Sequence, residues 1–274
     1  MLVFALDTST PAVTAGLVSL EEGAFPTTLA RRVTINPKAH CELLTPHVLE
    51  CCADAGVDLA DVDAIVAGTG PGPFTGLRVG LATAAALGDA LRIPVYGVCS
   101  LDAIAVDTWD EIRRAELAAR TNQDERVLAA QKLLVVTDAR RREVYWATYS
   151  LQGILADEVL ETADSGPQGD TAQLLAWAVP ARLDGPAVNK PDDIPVTRVA
   201  CVAGTRKYRS SFQCPHVDVE YPDPAALVMV AREQLLSAAA AAAPLQPLYL
   251  RRPDAVPPRP RPVSAAITGL GERS

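Results

Sequence analysis

The chain has 274 residues, a formal net charge of −8 and 49% hydrophobic residues. This length allows one large domain or two smaller ones, each with a hydrophobic core of its own. The acidic balance argues against a protein that grips a nucleic-acid backbone alone, because phosphate binding needs clustered lysine and arginine. A partner would have to supply that charge.

Two other classes of protein are disfavoured. No run of about eighteen uncharged apolar residues occurs, so we expect no membrane-spanning helix. The opening MLVFALDTST lacks a basic segment and is typical of a strand rather than a secretion signal. None of the six cysteines forms a CxxC pair, and only three histidines accompany them. We therefore expect buried thiols in a reduced cytoplasm, with no metal site and no cofactor.

The first half alternates strands and helices. Short apolar runs punctuated by turn residues predict three antiparallel strands, and a fourth and fifth strand follow between helices. Asn36 and Pro37 signal the start of the first helix, Gly56 ends it, and Pro46 lies inside it. The predicted strands are 1–7, 13–20, 29–35, 62–68 and 95–98. The predicted helices are 37–55, 75–91 and 100–118.

The second half is richer in strands. An alternating pattern predicts a hairpin of residues 133–138 and 143–150, and a further strand at 199–203. A short helix is expected at 171–178, a loop at 180–195 and a long closing helix at 224–243. After residue 252 the chain is rich in proline, which predicts a disordered tail.

This order indicates an α/β fold with mixed sheets, like the actin/hexokinase (ASKHA) architecture with its second half reduced. The first subdomain would span residues 1–105, completed by the closing helix. The second, smaller subdomain would span residues 106–223.

A glycine-rich turn, TGPGPF, connects the fourth strand to the second helix. Such a turn is able to cradle phosphate, because glycines allow close approach and a helix N-terminus offers free N–H groups. No Lys-Ser or Lys-Thr pair follows it, however, and Pro71 and Pro73 remove two N–H donors. A rigid shaped turn is therefore favoured over a phosphate site.

The helix after this turn carries small residues at every fourth position: Gly76, Gly80, Ala84 and Gly88. These positions form one low ridge, and its interior glycines each cost the helix about 1 kcal/mol relative to alanine. Close approach of another backbone would offset that cost. Spacing alone leaves two alternatives open, packing on the protein's own sheet or docking on a partner.

Asp7 stands where kinases of this fold carry a first phosphate loop, but no glycine adjoins it. A lone Asp at a strand end is more typical of a turn cap. His40 and His47 lie two helical turns apart, about 10 Å by rise, which is too far for one metal ion. No Ser-His-Asp or Cys-His pairing supports a protease.

Five blocks of the sequence together resemble the TsaB (YeaZ-like) family, the dimerization subunit of bacterial tRNA threonylcarbamoyladenosine biosynthesis. These blocks, spread from Leu6 to Arg251, are LDTST, HCELLTPHV, AGTGPGPFTGLRVG, VVTDARRREVYWA and PLYLR. Family members usually show GPGSFTGLRIG, so Pro73 and Val79 depart from the pattern.

The resemblance implies a degenerate copy of the catalytic subunit TsaD. Ser100 and Ile104 stand at the places of two metal-binding histidines of TsaD, and neither side chain suits a metal. Only Gly204 remains of TsaD's late glycine-rich nucleotide loop. The chain is therefore expected to be a pseudoenzyme with no catalytic residue.

The resemblance also implies the partners. The helices at 37–55 and 75–91 would pack on the matching helices of TsaD, or on a second copy of this chain when TsaD is absent. TsaE would join the complex, TsaC would supply threonylcarbamoyl-adenylate, and tRNA would bind only through the complex. The residues expected at this interface are Leu43, Leu44, His47, Val48, Gly76, Leu77, Gly80, Ala84 and Gly88. We expect Gly80→Leu to block association while leaving the fold intact. The main rival hypothesis is an ATP-dependent phosphotransferase of the same fold that uses Asp7 and the 68–74 turn.

Overall fold

The computed structural model describes residues 1–119, 132–151, 179–237 and 242–251. It has an α/β fold with two mixed sheets, as expected. The first sheet has five strands in the order β3-β2-β1-β4-β5. The strands are β1 (Leu2–Asp7), β2 (Ala12–Ser19), β3 (Thr27–Ile35), β4 (Ala64–Gly68) and β5 (Val95–Val98). The first three pair antiparallel, while β4 and β5 continue the sheet parallel to β1.

Helices α1 (His40–Ala55) and α2 (Phe74–Leu91) cover one face of this sheet. The predicted start of α1 at residue 37 is wrong by three residues. The side-chain oxygen of Asn36 accepts the N–H of Lys38 within a turn instead of capping the helix, which begins only at His40. Gly56 ends α1 in a left-handed conformation (φ 64°), the role in which glycine costs least.

The second sheet has four strands in the order β8-β7-β6-β9. Here β6 (Lys132–Asp138) and β7 (Val144–Ser150) form the predicted hairpin, and β9 (Val199–Gly204) pairs with β6 in parallel. The loop predicted at 180–195 is wrong, because β8 (Arg182–Asn189) pairs antiparallel with β7. This edge strand contains Gly185 and Pro186 and two register shifts, so it lacks the alternation that signals a strand.

Two helices complete the molecule. Helix α3 (Ser100–Ala119) packs Ala103 and Val106 in the core of the first sheet, and Leu101 and Ile104 in the core beside the second. The predicted subdomain boundary at residue 105 thus falls inside a shared helix, and the division stays a prediction.

Helix α4 (Pro224–Leu236) covers the other face of the first sheet, capped by the Asp223 carboxylate. It ends before residue 243, the predicted end. The helix predicted at 171–178 and the tail from 252 to 274 lie outside the described residues. In the part of the chain that is described, no helix is long and apolar enough to cross a membrane.

Candidate functional site

The carboxyl ends of β1, β4 and β5 meet at one edge of the first sheet, where α/β proteins commonly place ligands. Asp7 ends β1, Gly68 ends β4, and Ser100 begins α3 just after β5. This topology brings together residues that are up to 93 positions apart in the sequence.

The Asp7 carboxylate is fully engaged by the protein itself. The N–H and the hydroxyl of Ser9 both donate to Oδ1 of Asp7 at 2.8 Å, and the hydroxyl of Ser100 donates to Oδ2 at 2.5 Å. Only 1% of Asp7 is exposed. Burial raises the pKa of this carboxyl, although the three donors oppose the rise. Asp7 therefore has no face directed at solvent with which to hold a ligand.

The glycine-rich turn closes over this carboxylate. A methyl group on Gly68 would lie 1.8 Å from Oδ2 of Asp7, and one on Gly72 would lie 2.2 Å from the carbonyl oxygen of Ser9. The N–H of Thr69 donates to the carbonyl of Val98, and the N–H of Gly70 donates to Oγ of Ser100. The glycines thus serve close packing within the chain, in line with a rigid turn.

The small-residue ridge of α2 faces inward. A methyl group on Gly76 would lie 2.6 Å from the carbonyl oxygen of Thr8, and one on Gly80 would lie 2.3 Å from Oγ1 of Thr8. That hydroxyl donates to the carbonyl of Gly76 and accepts the N–H of Gly80. At the far end, a methyl group on Gly88 would lie 2.2 Å from Cγ2 of Val95. Of the two alternatives for the ridge, packing on the chain's own sheet describes what it does here.

The other residues expected at the interface lie mostly in the same core. Leu43 is half-buried, and the rest are buried: Leu44, His47, Val48, Leu77 and Ala84. Contact of these side chains with a partner stays a prediction. The expectation that Gly80→Leu spares the fold is wrong, because a leucine at residue 80 would displace Thr8.

The exposed face of the same two helices lies on their opposite side. We call it the outer helical face; it consists of Cys41, Thr45 and Leu49 of α1 and Thr75, Ala82 and Ala86 of α2. Leu49 is 55% exposed, and a shallow groove of about 470 Å³ runs between the helices beside Cys41. None of these six side chains is charged. The signal that would have found them is helical periodicity, because they lie opposite the buried ridge.

A larger cleft of about 490 Å³ separates the two halves. Its wall on the first half includes Lys38, His40 and Phe74, and its wall on the second half includes Arg140 and Tyr145. Nε2 of His40 lies 2.9 Å from the carbonyl oxygen of Thr10, and is thus occupied within the protein.

One side of this cleft is closed by residues 242–251, which we call the strap. The N–H of Leu248 donates to the carbonyl of Thr69, and the ring of Tyr249 lies 4.8 Å from that of Phe74. Arg78 donates to the hydroxyl of Tyr249, and Arg251 donates to the carbonyl of Ala139 in the second half. The strap thus ties the start of α2 to the β6–β7 turn, a connection for which the sequence offered no signal.

The places matched to TsaD's other sites are also occupied. Ser100 binds Asp7 and Gly70, and the side chain of Ile104 is wholly buried in the core. Gly204 has φ +98°, and a methyl group there would lie 1.9 Å from the carbonyl oxygen of Val136, so it serves the packing of the second sheet. Among the described residues, no three histidine, cysteine or acidic side chains are grouped so as to hold a metal ion.

Comparison with known proteins now identifies the family. An uncharacterized protein of Mycobacterium tuberculosis is 44% identical over 255 residues, which cover 93% of this chain and 94% of that protein. The family model described as "TsaD: tRNA N6-adenosine threonylcarbamoyltransferase" matches residues 31–165. A crystal structure from Pseudomonas aeruginosa, described as an uncharacterized protein with similarity to peptidase YEAZ, superimposes with a TM-score of 0.61 at 29% identity, covering 91% of this chain and 99% of that one. The chain belongs to the TsaB-like (TsaD/YeaZ) family.

One TsaB-like relative carries a functional name. The Escherichia coli tRNA threonylcarbamoyladenosine biosynthesis protein TsaB is 34% identical over 149 residues, which cover 54% of this chain and 55% of that protein. The likeness to a named TsaB thus spans about half of each chain.

Proposed function

We propose that this chain is a non-catalytic assembly subunit for tRNA threonylcarbamoyladenosine modification, the reaction at the adenosine beside the anticodon. It binds and supports the catalytic subunit TsaD, is joined by TsaE, and forms a homodimer when TsaD is absent. It works in the cytoplasm without a cofactor, and it meets tRNA through the complex.

The observation that carries this proposal is the closed Asp7 site. In a fold that places its ligand at this edge of the sheet, both carboxylate oxygens of Asp7 accept protein donors, and Gly68 leaves no space above them. Opening the site would break three hydrogen bonds to a buried carboxylate, and hydrogen bonds to charged groups each contribute about 1.5–3 kcal/mol. A scaffold role needs no such opening.

The outer helical face supports the choice of binding surface. Its six uncharged side chains include three small ones on α2, so another helix pair is able to approach closely there. The buried ridge supports this face indirectly, since it seats α2 firmly on the sheet through Thr8.

The experiment is co-expression with TsaD and TsaE from the same organism, with Ala82→Arg as the test variant. We expect the wild-type chain to co-purify with TsaD, and Ala82→Arg to reduce recovery at least tenfold. Ala115→Arg is the matched control, because Ala115 is an exposed alanine of α3 outside the outer helical face. Equal recovery of all three proteins would contradict the proposed surface, and no recovery of the wild type would contradict the partnership.

The phosphotransferase alternative is tested separately by calorimetric titration of the isolated chain with Mg-ATP. The assembly proposal expects no micromolar binding. Micromolar binding that Asp7→Asn abolishes would favour the enzyme instead.

A further inference from the structure

The turn between β6 and β7 carries three consecutive arginines in an unusual backbone conformation. Arg140, Arg141 and Arg142 have φ values of 63°, 49° and 64°, all in the left-handed region. Side chains other than those of glycine and asparagine rarely adopt this region, because Cβ then crowds the following carbonyl oxygen. Three arginines therefore occupy positions where glycine would be more stable, which points to a use for their side chains.

These side chains are also available. All three are exposed, and neither Arg140 nor Arg142 has a side-chain partner among the described residues. The two acids that flank the turn are already occupied. Asp138 accepts the N–H of Arg140, the ammonium of Lys207 and the hydroxyl of Tyr208, while Glu143 pairs with Arg251. The positive charge of the turn is thus left for an external anion.

The neighbouring cleft adds both charge and aromatic surface. Arg140 shares this cleft with Lys38 and Arg251, and with the rings of Phe74 and Tyr249, the latter 40% exposed. Guanidinium groups beside accessible aromatic rings form the combination that holds a phosphate backbone and stacks unpaired bases. An acidic protein surface would pair with the same arginines, but it would leave the exposed ring unused.

We infer that the arginine turn (residues 140–142) binds the phosphate backbone of RNA. This inference rests on the proposed function, in which the ligand is the tRNA held by the assembled complex. The turn would extend the RNA-binding surface onto this acidic chain, and the aromatic side of the cleft would receive an unpaired base.

The test measures binding of a labelled tRNA transcript, with adenosine beside its anticodon, to the complex of the full chain with TsaD and TsaE. In the triple variant R140G/R141G/R142G we expect the Kd to rise about tenfold at moderate salt. The slope of log K against log salt should fall by about three, one for each lost phosphate contact. The melting temperature should stay level or rise, because glycine fits these φ values. A merely structural turn would not combine stronger folding with weaker binding.

Arg198→Gly is the matched control, since Arg198 is also exposed with φ 62° but lies away from the turn. An unchanged Kd in the triple variant, or an equal change in the control, would overturn the inference. So would a triple variant that fails to co-purify with TsaD or TsaE, because the turn would then dock a protein. If the wild type itself does not assemble with TsaD, the proposed function fails first. Salt-sensitive binding of the same transcript by the isolated chain, lost in the triple variant, would then still support the arginine turn, and its absence would overturn it.

Discussion

The turn at residues 68–74 carries three glycines and closes on its own chain, whereas the turn at residues 139–143 carries three arginines and faces solvent. In the first turn only Gly70 needs its positive φ of 93°, while Gly68 and Gly72 are needed for space. In the second turn there is ample space, but every arginine has a φ that suits glycine. The comparison teaches that glycine can mark a filled site, and that its absence from a left-handed turn can mark an exposed one.

The largest effect is expected where the first turn meets Asp7. Gly68→Ala places a methyl group 1.8 Å from Oδ2 of Asp7, so we expect a loss of about 3 kcal/mol in the free energy of unfolding. Chemical denaturation measures it. Gly56→Ala is the control, because Gly56 has open space around it and only its φ of 64° to lose, a cost of about 1 kcal/mol. Equal losses in the two variants would show that the first turn is not tightly packed.

A smaller effect, dependent on pH, is expected from Asp7 itself. Burial raises its pKa above the ordinary value of 3.8, so the folded state binds the proton more tightly than the unfolded state. The stability that this contributes is present below pH 3.8 and is lost as pH rises through the folded pKa. Asp7→Asn cannot titrate, so its melting temperature should improve relative to wild type as pH rises from 4 to 8. Asp89→Asn, at an exposed residue of α2, provides the reference curve. A constant difference between Asp7→Asn and wild type would contradict the raised pKa.

The second turn should respond in the opposite direction to the first. Arg142→Gly removes a side chain from a left-handed residue, and we expect a gain of about 0.5–1 kcal/mol in unfolding free energy. Arg209→Gly is the contrast, since Arg209 is exposed but is absent from the residues with positive φ. It should lose about as much as Arg142→Gly gains. A loss at residue 142 would mean that its side chain stabilises the turn.

The last difference concerns reactivity rather than stability. Cys99 lies beside Ser100 under the first turn, and burial raises the pKa of its thiol to about 12. Cys41 is exposed on the outer helical face. At pH 8 we expect a maleimide to label Cys41 promptly and Cys99 only after unfolding, as mass spectrometry of digested protein would show. Early labelling of Cys99 would indicate that the first turn opens.

Much of the fold follows from local punctuation in the sequence. Proline and glycine mark the ends of α1 and α2, and alternation marks the β6–β7 hairpin. Strand β8 escaped because Gly185 and Pro186 interrupt its pattern, and only pairing with β7 makes it a strand.

The site was less predictable, because its decisive contacts join distant residues. Spacing identified the ridge of α2 but not its direction, since glycines pack equally well on a strand or on a partner. The contact that settles it, Thr8 with Gly80, spans 72 positions. The arginine turn gave no local signal either, because arginine is not a residue from which left-handed backbone is inferred.

The strap has a consequence for how the molecule comes apart. Leu245 packs against the core of the first sheet, and three residues later Leu248 packs against the core beside the second. Helix α3 is likewise shared between the two cores. Neither core is able to dissolve without exposing apolar surface of the other, so the two halves should melt in a single cooperative transition rather than as two independent units.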